Sequence, residues 1–214
     1  MNKLTIPPNL TELAYQNIKK EILQGKLTRQ HFTEESLSLD LGISKSPIRE
    51  ALNALKNEGL IRIEARRGAY LREFSIDEIR DLYGVREALE TYAVSNAKVT
   101  PQLLDSLEAS IQRTITYLKT GDKSHHIDED ANFHLILVSA AKNNELNRML
   151  ETIQNQIWLF RSQTYRISSG TAPEAHRRIV AALREHDQLA AVAAVREHIR
   201  HVRNSLLNHL GFIT

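Results

Sequence analysis

The sequence predicts a mainly α protein in two parts: an N-terminal winged helix-turn-helix and a C-terminal all-α bundle of six helices. Three observations carry this. Two short amphipathic stretches flank Gly42 and lead into a basic hairpin; a capping signal restarts the chain at Phe74-Ser75; and beyond it the apolar spacing is helical almost to the end.

The first helix, about 10–24, places Leu13, Ala14, Ile18, Ile22 and Leu23 at helical spacing and stops at Gly25. Thr33 can cap a short helix carrying Leu37 and Leu41, which Gly42 ends in the left-handed conformation. Pro47 suits the first turn of the next helix, where its missing N–H is harmless. That helix sets Ile48, Leu52 and Leu55 on one face, with Arg49, Asn53 and Lys56 on the other, and ends at Gly59. LIRIE (60–64) and AYLRE (69–73) read as strands joined by Ala65-Arg66-Arg67-Gly68. The expected domains are 1–74 and 75–214. The second should hold helices at about 76–98, 101–120, 127–142, 144–165, 173–185 and 187–210, with Asn143 capping the fourth.

Composition narrows the function classes. Hydrophobic residues at 42% and charged residues at 25% are ordinary for a soluble globular protein of 214 residues. The absence of cysteine excludes disulfides and thiolate metal sites, and it suits a reducing cytosol. Apolar runs are shorter than a membrane span, and MNKLTIPPNLTEL lacks the apolar core of a signal peptide. A cytoplasmic protein without membrane association is therefore expected. Residues 1–74 carry 12 Lys/Arg against 9 Asp/Glu, and residues 75–214 carry 16 against 17. This basic excess in the N-terminal part is too small to establish nucleic-acid binding by itself.

Position says more than net charge. Ser44, Lys45, Ser46 and Arg49 gather in the turn and first turn of the second helix, where a recognition helix meets base edges and phosphates. An arginine there can bridge guanine O6 and N7, while hydroxyls and Lys45 suit phosphates. Arg66 and Arg67 would extend the contact from the hairpin tip, and Gly68 would permit the reversal. The alternative is a helical hairpin with a solvated basic edge.

The helical half holds a second constellation. Asp130 and His134 lie one turn apart on a face that also carries Phe133, Leu137 and Val138. His176 precedes Ile179, Val180 and Leu183 on an apolar stripe, and His198 sits between Val195 and Val202. Three imidazoles and a carboxylate converging in a bundle suit Zn²⁺, Ni²⁺ or Mn²⁺; hydrogen-bonded core histidines are the alternative. His125, His126, His186, His201 and His209 receive no role. Arg86 falls on or beside the face formed by Leu82, Val85, Leu89 and Ala93. A buried guanidinium needs a partner, either an internal carboxylate or the carboxylate of a bound ligand.

LGISKSPIREALNALKNEGLIRIEARRGAYL (41–71) resembles the pattern LGVSRTPVREAL-x-x-L-x-x-x-GLV-x-x-x-x-x-RG-x-x-V of the GntR family of bacterial transcription regulators. The resemblance implies operator contacts at Ser44, Lys45, Ser46, Arg49 and Arg67-Gly68. Two positions depart from it: Arg29-Gln30 replaces a usual Pro-Gly, and Glu35 stands where some relatives have an arginine. The helices of 76–210 resemble the FCD effector domain of the FadR subfamily, in the shorter VanR-like branch. D-x-x-x-H matches Asp130–His134, E-x-H-x-x-I-x-x-A-L matches Glu174–Leu183, and H-[LI] matches His198-Ile199. The resemblance implies a metal held by Asp130, His134, His176 and His198. LYGVREALE (82–90) is similar to L-Y-E-V-R-x-x-L-E, whose arginine implies an effector contact for Arg86, with Gly84 replacing the usual acid.

The expectation is a non-enzymatic, ligand-responsive transcription regulator, a homodimer on a palindromic double-stranded DNA operator that senses a small carboxylate near a divalent metal. Two alternatives stand beside it: a metal-dependent hydrolase or lyase with an incidental DNA module, and a regulator whose metal site is empty.

Overall fold

The structure is a computed structural model, and it describes residues 9–24, 27, 31–168 and 170–211. Gly25 and Arg29-Gln30 lie outside the described residues. The chain divides into two compact units, residues 1–73 and 74–214.

In the first unit, α1 (Leu10–Leu23), α2 (Glu34–Leu41) and α3 (Lys45–Asn57) surround a small apolar core. Asn9 caps α1, its side chain accepting from the Glu12 amide. Ala14, Ile18 and Ile22 form the buried stripe of α1, and Ile48, Ala51, Leu52 and Leu55 form that of α3. Thr33 and Ser36 close a capping box on α2, and Gly42 ends it at φ 65°.

The sheet has three strands in the order β1-β3-β2: β1 (His31–Phe32), β3 (Gly68–Leu71) and β2 (Ile61–Glu64), all antiparallel. The hairpin is the expected wing. Strand β1 is an addition, since two residues are too few to show alternation in a sequence. It pairs His31 with Tyr70 and Phe32 with Ala69, burying Phe32. Gly68, at φ 105°, lies against that strand: a Cβ there would come within 2.7 Å of the Phe32 carbonyl oxygen.

The second unit contains six helices among the described residues: α4 (Ile76–Ser95), α5 (Pro101–Thr120), α6 (Lys123–Ser139), α7 (Asn144–Ser168), α8 (Ala172–Arg184) and α9 (Gln188–Gly211). Ser75 and Glu78 form the capping box that opens α4. Thr100 caps α5 ahead of Pro101, and Asn143 accepts from the Glu145 and Leu146 amides to open α7. Helix α6 starts four residues before its expected position because Asp122 caps it through the His125 amide. That extra turn buries His126, which had received no role. The core joins Ile79 and Tyr83 with Leu107, Phe133, Leu137, Ile157, Ile179, Leu183, Val195 and Ile199.

The buried face of α4 differs from the expected one. Ile79, Tyr83, Arg86, Glu90, Ala93 and Val94 point inward, whereas Val85 is 48% exposed. A guanidinium and a carboxylate thus displace an aliphatic side chain from the interior. Their mutual ion pair reduces the desolvation cost that would otherwise forbid it.

Candidate functional site

Ser44, Lys45, Ser46 and Arg49 are all exposed, because Ile48, Ala51 and Leu52 anchor the opposite side of α3. Lys45, Arg49 and Asn53 line one side of a groove whose other side is Arg66, Arg67 and Gly68 of the wing. Arg66 turns the wing at φ 64°, and the Arg67 amide donates to the Glu64 carbonyl. The structure therefore brings Lys45, Arg49, Arg66, Arg67 and Gly68 to one groove, while Ser44 and Ser46 are exposed at the start of α3 outside its lining.

Two acids at the start of α2 meet the cations. Arg49 donates through Nε and Nη2 to Glu34 at 2.8 Å each, and Lys45 Nζ lies 3.2 Å from Glu35. The Arg49 hydrogen bonds hold the Glu34 carboxyl below the usual range. The side-on grip leaves the outer edge of the guanidinium free for an acceptor. Glu35, which stands where some relatives have an arginine, pairs with Lys45.

The second constellation is a buried centre. Helix α6 supplies Asp130 and His134, α8 supplies His176 and α9 supplies His198, all at most 4% exposed. One ligand atom from each lies within 4.8 Å of the other three. The Nε2 atoms of His134 and His198 are 3.3 Å apart, and His176 Nε2 is 3.7 Å from Asp130 Oδ1. Ligands at about 2.0–2.2 Å from one ion sit roughly 3–4 Å from one another, so the 3.3 and 3.7 Å separations suit a single divalent cation. Asp130 Oδ1 and both ring nitrogens of His176 have no hydrogen-bond partner. Buried polar atoms normally have one, and a metal ion is what this donor set would satisfy. The His176 ring is fixed by stacking on Phe133, 3.8 Å between centroids and 2° between planes.

The protonation states agree with metal binding. Burial pushes His176 down to about 3 and His198 well below the usual imidazole range. Burial would raise the Asp130 carboxyl, but Arg161 and then the facing imidazoles more than offset it and hold it well below the usual range. Neutral imidazoles and an ionised carboxylate are the forms that coordinate a cation.

Arg86 is buried close to this centre, and its partner in the structure is an internal carboxylate. Its Nε donates to Glu90 Oε1 at 2.7 Å, while Nη2 has no hydrogen-bond partner. The other oxygen of Glu90 meets His134 Nδ1 at 2.6 Å. Burial would raise the Glu90 carboxyl, but His134 and Arg86 bring it down to about 2. Arg161 donates to Asp130 Oδ2 from α7. Sequence reasoning missed Glu90 and Arg161. The signal was there: Glu90 follows Tyr83 and Arg86 on one helical stripe, and Arg161 lies seven residues after Gln154 among Ile157 and Phe160.

A winged helix-turn-helix joined to a helical domain with a buried polar centre defines a transcriptional regulator with DNA-binding and effector domains. Residues 10–71 match the gntR family of bacterial regulatory proteins, and residues 81–201 match the FCD domain. The chain belongs to the GntR family of bacterial regulators, in the group that carries an FCD domain. It is 28% identical over 193 residues to the HTH-type transcriptional regulator YdhC of Bacillus subtilis, covering 87% of this chain and 86% of that one. It is 29% identical over 177 residues to the Nta operon transcriptional regulator of Aminobacter aminovorans, covering 80% and 81%. The fold matches the crystal structure of a GntR regulator from Rhodococcus sp. RHA1, with TM-score 0.83, 20% identity and coverage of 92% and 97%. Escherichia coli McbR/YncC matches with TM-score 0.79, 21% identity and coverage of 94% and 98%. No described helix is long and apolar enough to cross a membrane.

Proposed function

We propose that this regulator binds a palindromic operator as a homodimer and responds to a small organic acid held near a divalent metal in the helical domain. Ser44, Lys45, Ser46 and Arg49 present the recognition helix, and Arg66, Arg67 and Gly68 present the wing. Asp130, His134, His176 and His198 hold the metal, and the free edge of Arg86 faces the acid. The observation that carries the reading is the buried Asp/His₃ cluster, with ligand atoms within 4.8 Å of one another.

Charge supports an anionic effector. The formal charges of Arg86 and Glu90 cancel, as do those of Arg161 and Asp130. A divalent cation added to neutral imidazoles therefore leaves a surplus of two positive charges in a buried volume. A carboxylate offsets that surplus, and Arg86 Nη2 offers it a directed donor. Zn²⁺, Ni²⁺ and Mn²⁺ all accept nitrogen and oxygen donors, the bound ion serving as a Lewis-acidic anchor for the acid. Control of transcription requires the acid to bind one arrangement of the dimer better than the other, which links the centre to operator affinity.

The test is elemental analysis of protein purified under metal-replete conditions, beside His176→Ala. About one equivalent of divalent metal in the wild type and little in the variant is the expected result. Equal metal in both, or none in either, removes the centre. Small carboxylates are then screened for thermal stabilisation, and the best is repeated with Arg86→Ala; an undiminished shift removes Arg86 from the effector site.

A further inference from the structure

We propose that Glu90 is a positioning residue of the metal centre: it fixes His134 in the tautomer whose Nε2 lone pair faces the ion, and Arg86 in turn holds Glu90 in place. The inference rests on the metal reading of the Asp/His₃ cluster and extends it to residues outside the ligand set.

The geometry is a line of three side chains. Arg86 Nε donates to Glu90 Oε1 at 2.7 Å, and Glu90 Oε2 lies 2.6 Å from His134 Nδ1. All three are at most 1% exposed, so water does not compete for these bonds. Each carboxylate oxygen has one partner, and neither bond comes at the cost of the other. An ionised carboxylate only accepts, so the imidazole must donate from Nδ1. In the neutral imidazole that a metal ligand must be, the proton is then on Nδ1 and the lone pair on Nε2, which faces His198 Nε2 at 3.3 Å.

The rotation of the ring is set by the same contact. His134 is one turn from Asp130 on α6, while Glu90 comes from α4, so the pair ties two helices at the ligand itself. Without the acid, His134 keeps its place on the helix but loses the partner that selects its tautomer and aim. Carboxylates that receive the second N–H of a ligating histidine raise its basicity and fix its orientation, and losing one typically weakens metal binding about 10- to 100-fold. Arg86 thus has a second task beside any contact with the effector: its Nε grip keeps Glu90 from turning away from the imidazole.

Zinc and nickel affinities are measured by chelator competition on full-length wild type, Glu90→Gln and the charge-balanced Arg86→Met/Glu90→Gln. The double variant guards against unfolding caused by leaving the Arg86 charge buried alone. Circular dichroism establishes which variants fold. Either folded variant is expected to bind about 10- to 100-fold more weakly than the wild type. Affinity within twofold of wild type in a folded variant overturns the assignment. Nitrogen-15 NMR of the histidines in zinc-loaded wild type gives the second readout: the proton is expected on His134 Nδ1. Finding it on Nε2 overturns the proposal, and this result decides alone if neither variant folds. Failure of the wild type to bind either metal sinks the metal reading itself, whereas binding that is unchanged in the variants sinks only the role of Glu90.

Discussion

Replacing Arg161 by alanine isolates the energetics of the buried centre. Asp130 is 1% exposed and Arg161 3%, and they form an ion pair between α6 and α7. Removing the guanidinium leaves a carboxylate that burial disfavours and whose largest electrostatic support was Arg161. Breaking a buried pair from one side costs about 3–5 kcal/mol, whereas an exposed pair is worth about 0–1. For a chain of this size each kcal/mol moves the midpoint by about 2–4 °C, so metal-free Arg161→Ala should melt roughly 6–20 °C below wild type. The assay is thermal unfolding with and without a chelator. A saturating divalent cation should recover part of the loss, because it returns positive charge to Asp130 Oδ1, which has no hydrogen-bond partner. A loss below about 1 kcal/mol in the chelated protein would refute the reasoning, since it would place the pair in the range of solvent-screened contacts.

Three further outcomes follow from the same geometry. His176 titrates near 3 when folded against about 6.5 unfolded, so below pH 6.5 the unfolded chain takes up a proton that the folded one refuses. Stability of the metal-free protein should then fall by about 1.4 kcal/mol per pH unit for that imidazole as pH drops from 6.5 toward 3, and remain level above; denaturant unfolding of wild type beside His176→Gln checks this, an identical slope in both counting against a buried neutral imidazole. Gly68→Ala should destabilise the first unit by about 1–3 kcal/mol, because its φ is 105° and its Cβ would come within 2.7 Å of a backbone oxygen; a variant as stable as wild type shows that β1 can yield. Arg49→Ala should leave the melting midpoint in place while weakening binding to DNA selected by the wild type by about 10- to 100-fold, the worth of a bidentate base contact; unchanged affinity in a gel-shift titration would exclude α3 from base reading.

Much of this architecture was legible because its signals are local. Thr33, Gly42, Ser75, Thr100 and Asn143 act within a few residues of themselves, and the structure places helix ends at each. The four metal-ligand candidates were legible because each sits on an apolar stripe of its own helix. What was missed depends on partners distant in sequence. Strand β1 exists through pairing with β3, 36 residues or more away, and two residues carry no periodicity. Glu90 meets His134 across 44 positions, and Arg161 meets Asp130 across 31. The inward face of α4 differs in part for the same reason: hydrophobicity favours Val85, and Glu90 goes inside with Arg86 on its own helix and His134 on α6 as partners.

An arginine paired with a carboxylate occurs at both functional surfaces, and burial gives the two pairs opposite meanings. Arg49 and Glu34 face solvent, with side chains 64% and 33% exposed, so their fork is screened by water and salt and orients more than it stabilises. Such a grip can keep a guanidinium extended over α3 and still share it with a base or phosphate, because the outer nitrogens remain open. Arg86 with Glu90, and Arg161 with Asp130, are sealed inside a low-dielectric interior where neither partner can leave without a large penalty. They therefore fix atoms: one aims the lone pair of His134, the other leaves Asp130 Oδ1 as the oxygen presented to the centre. On the proposed function, the sensing end would be held rigid by buried pairs and the reading end kept ready by exposed ones. This difference also predicts their salt dependence: added salt should loosen the Arg49 fork and operator binding together, while leaving divalent-metal affinity at the buried centre far less changed.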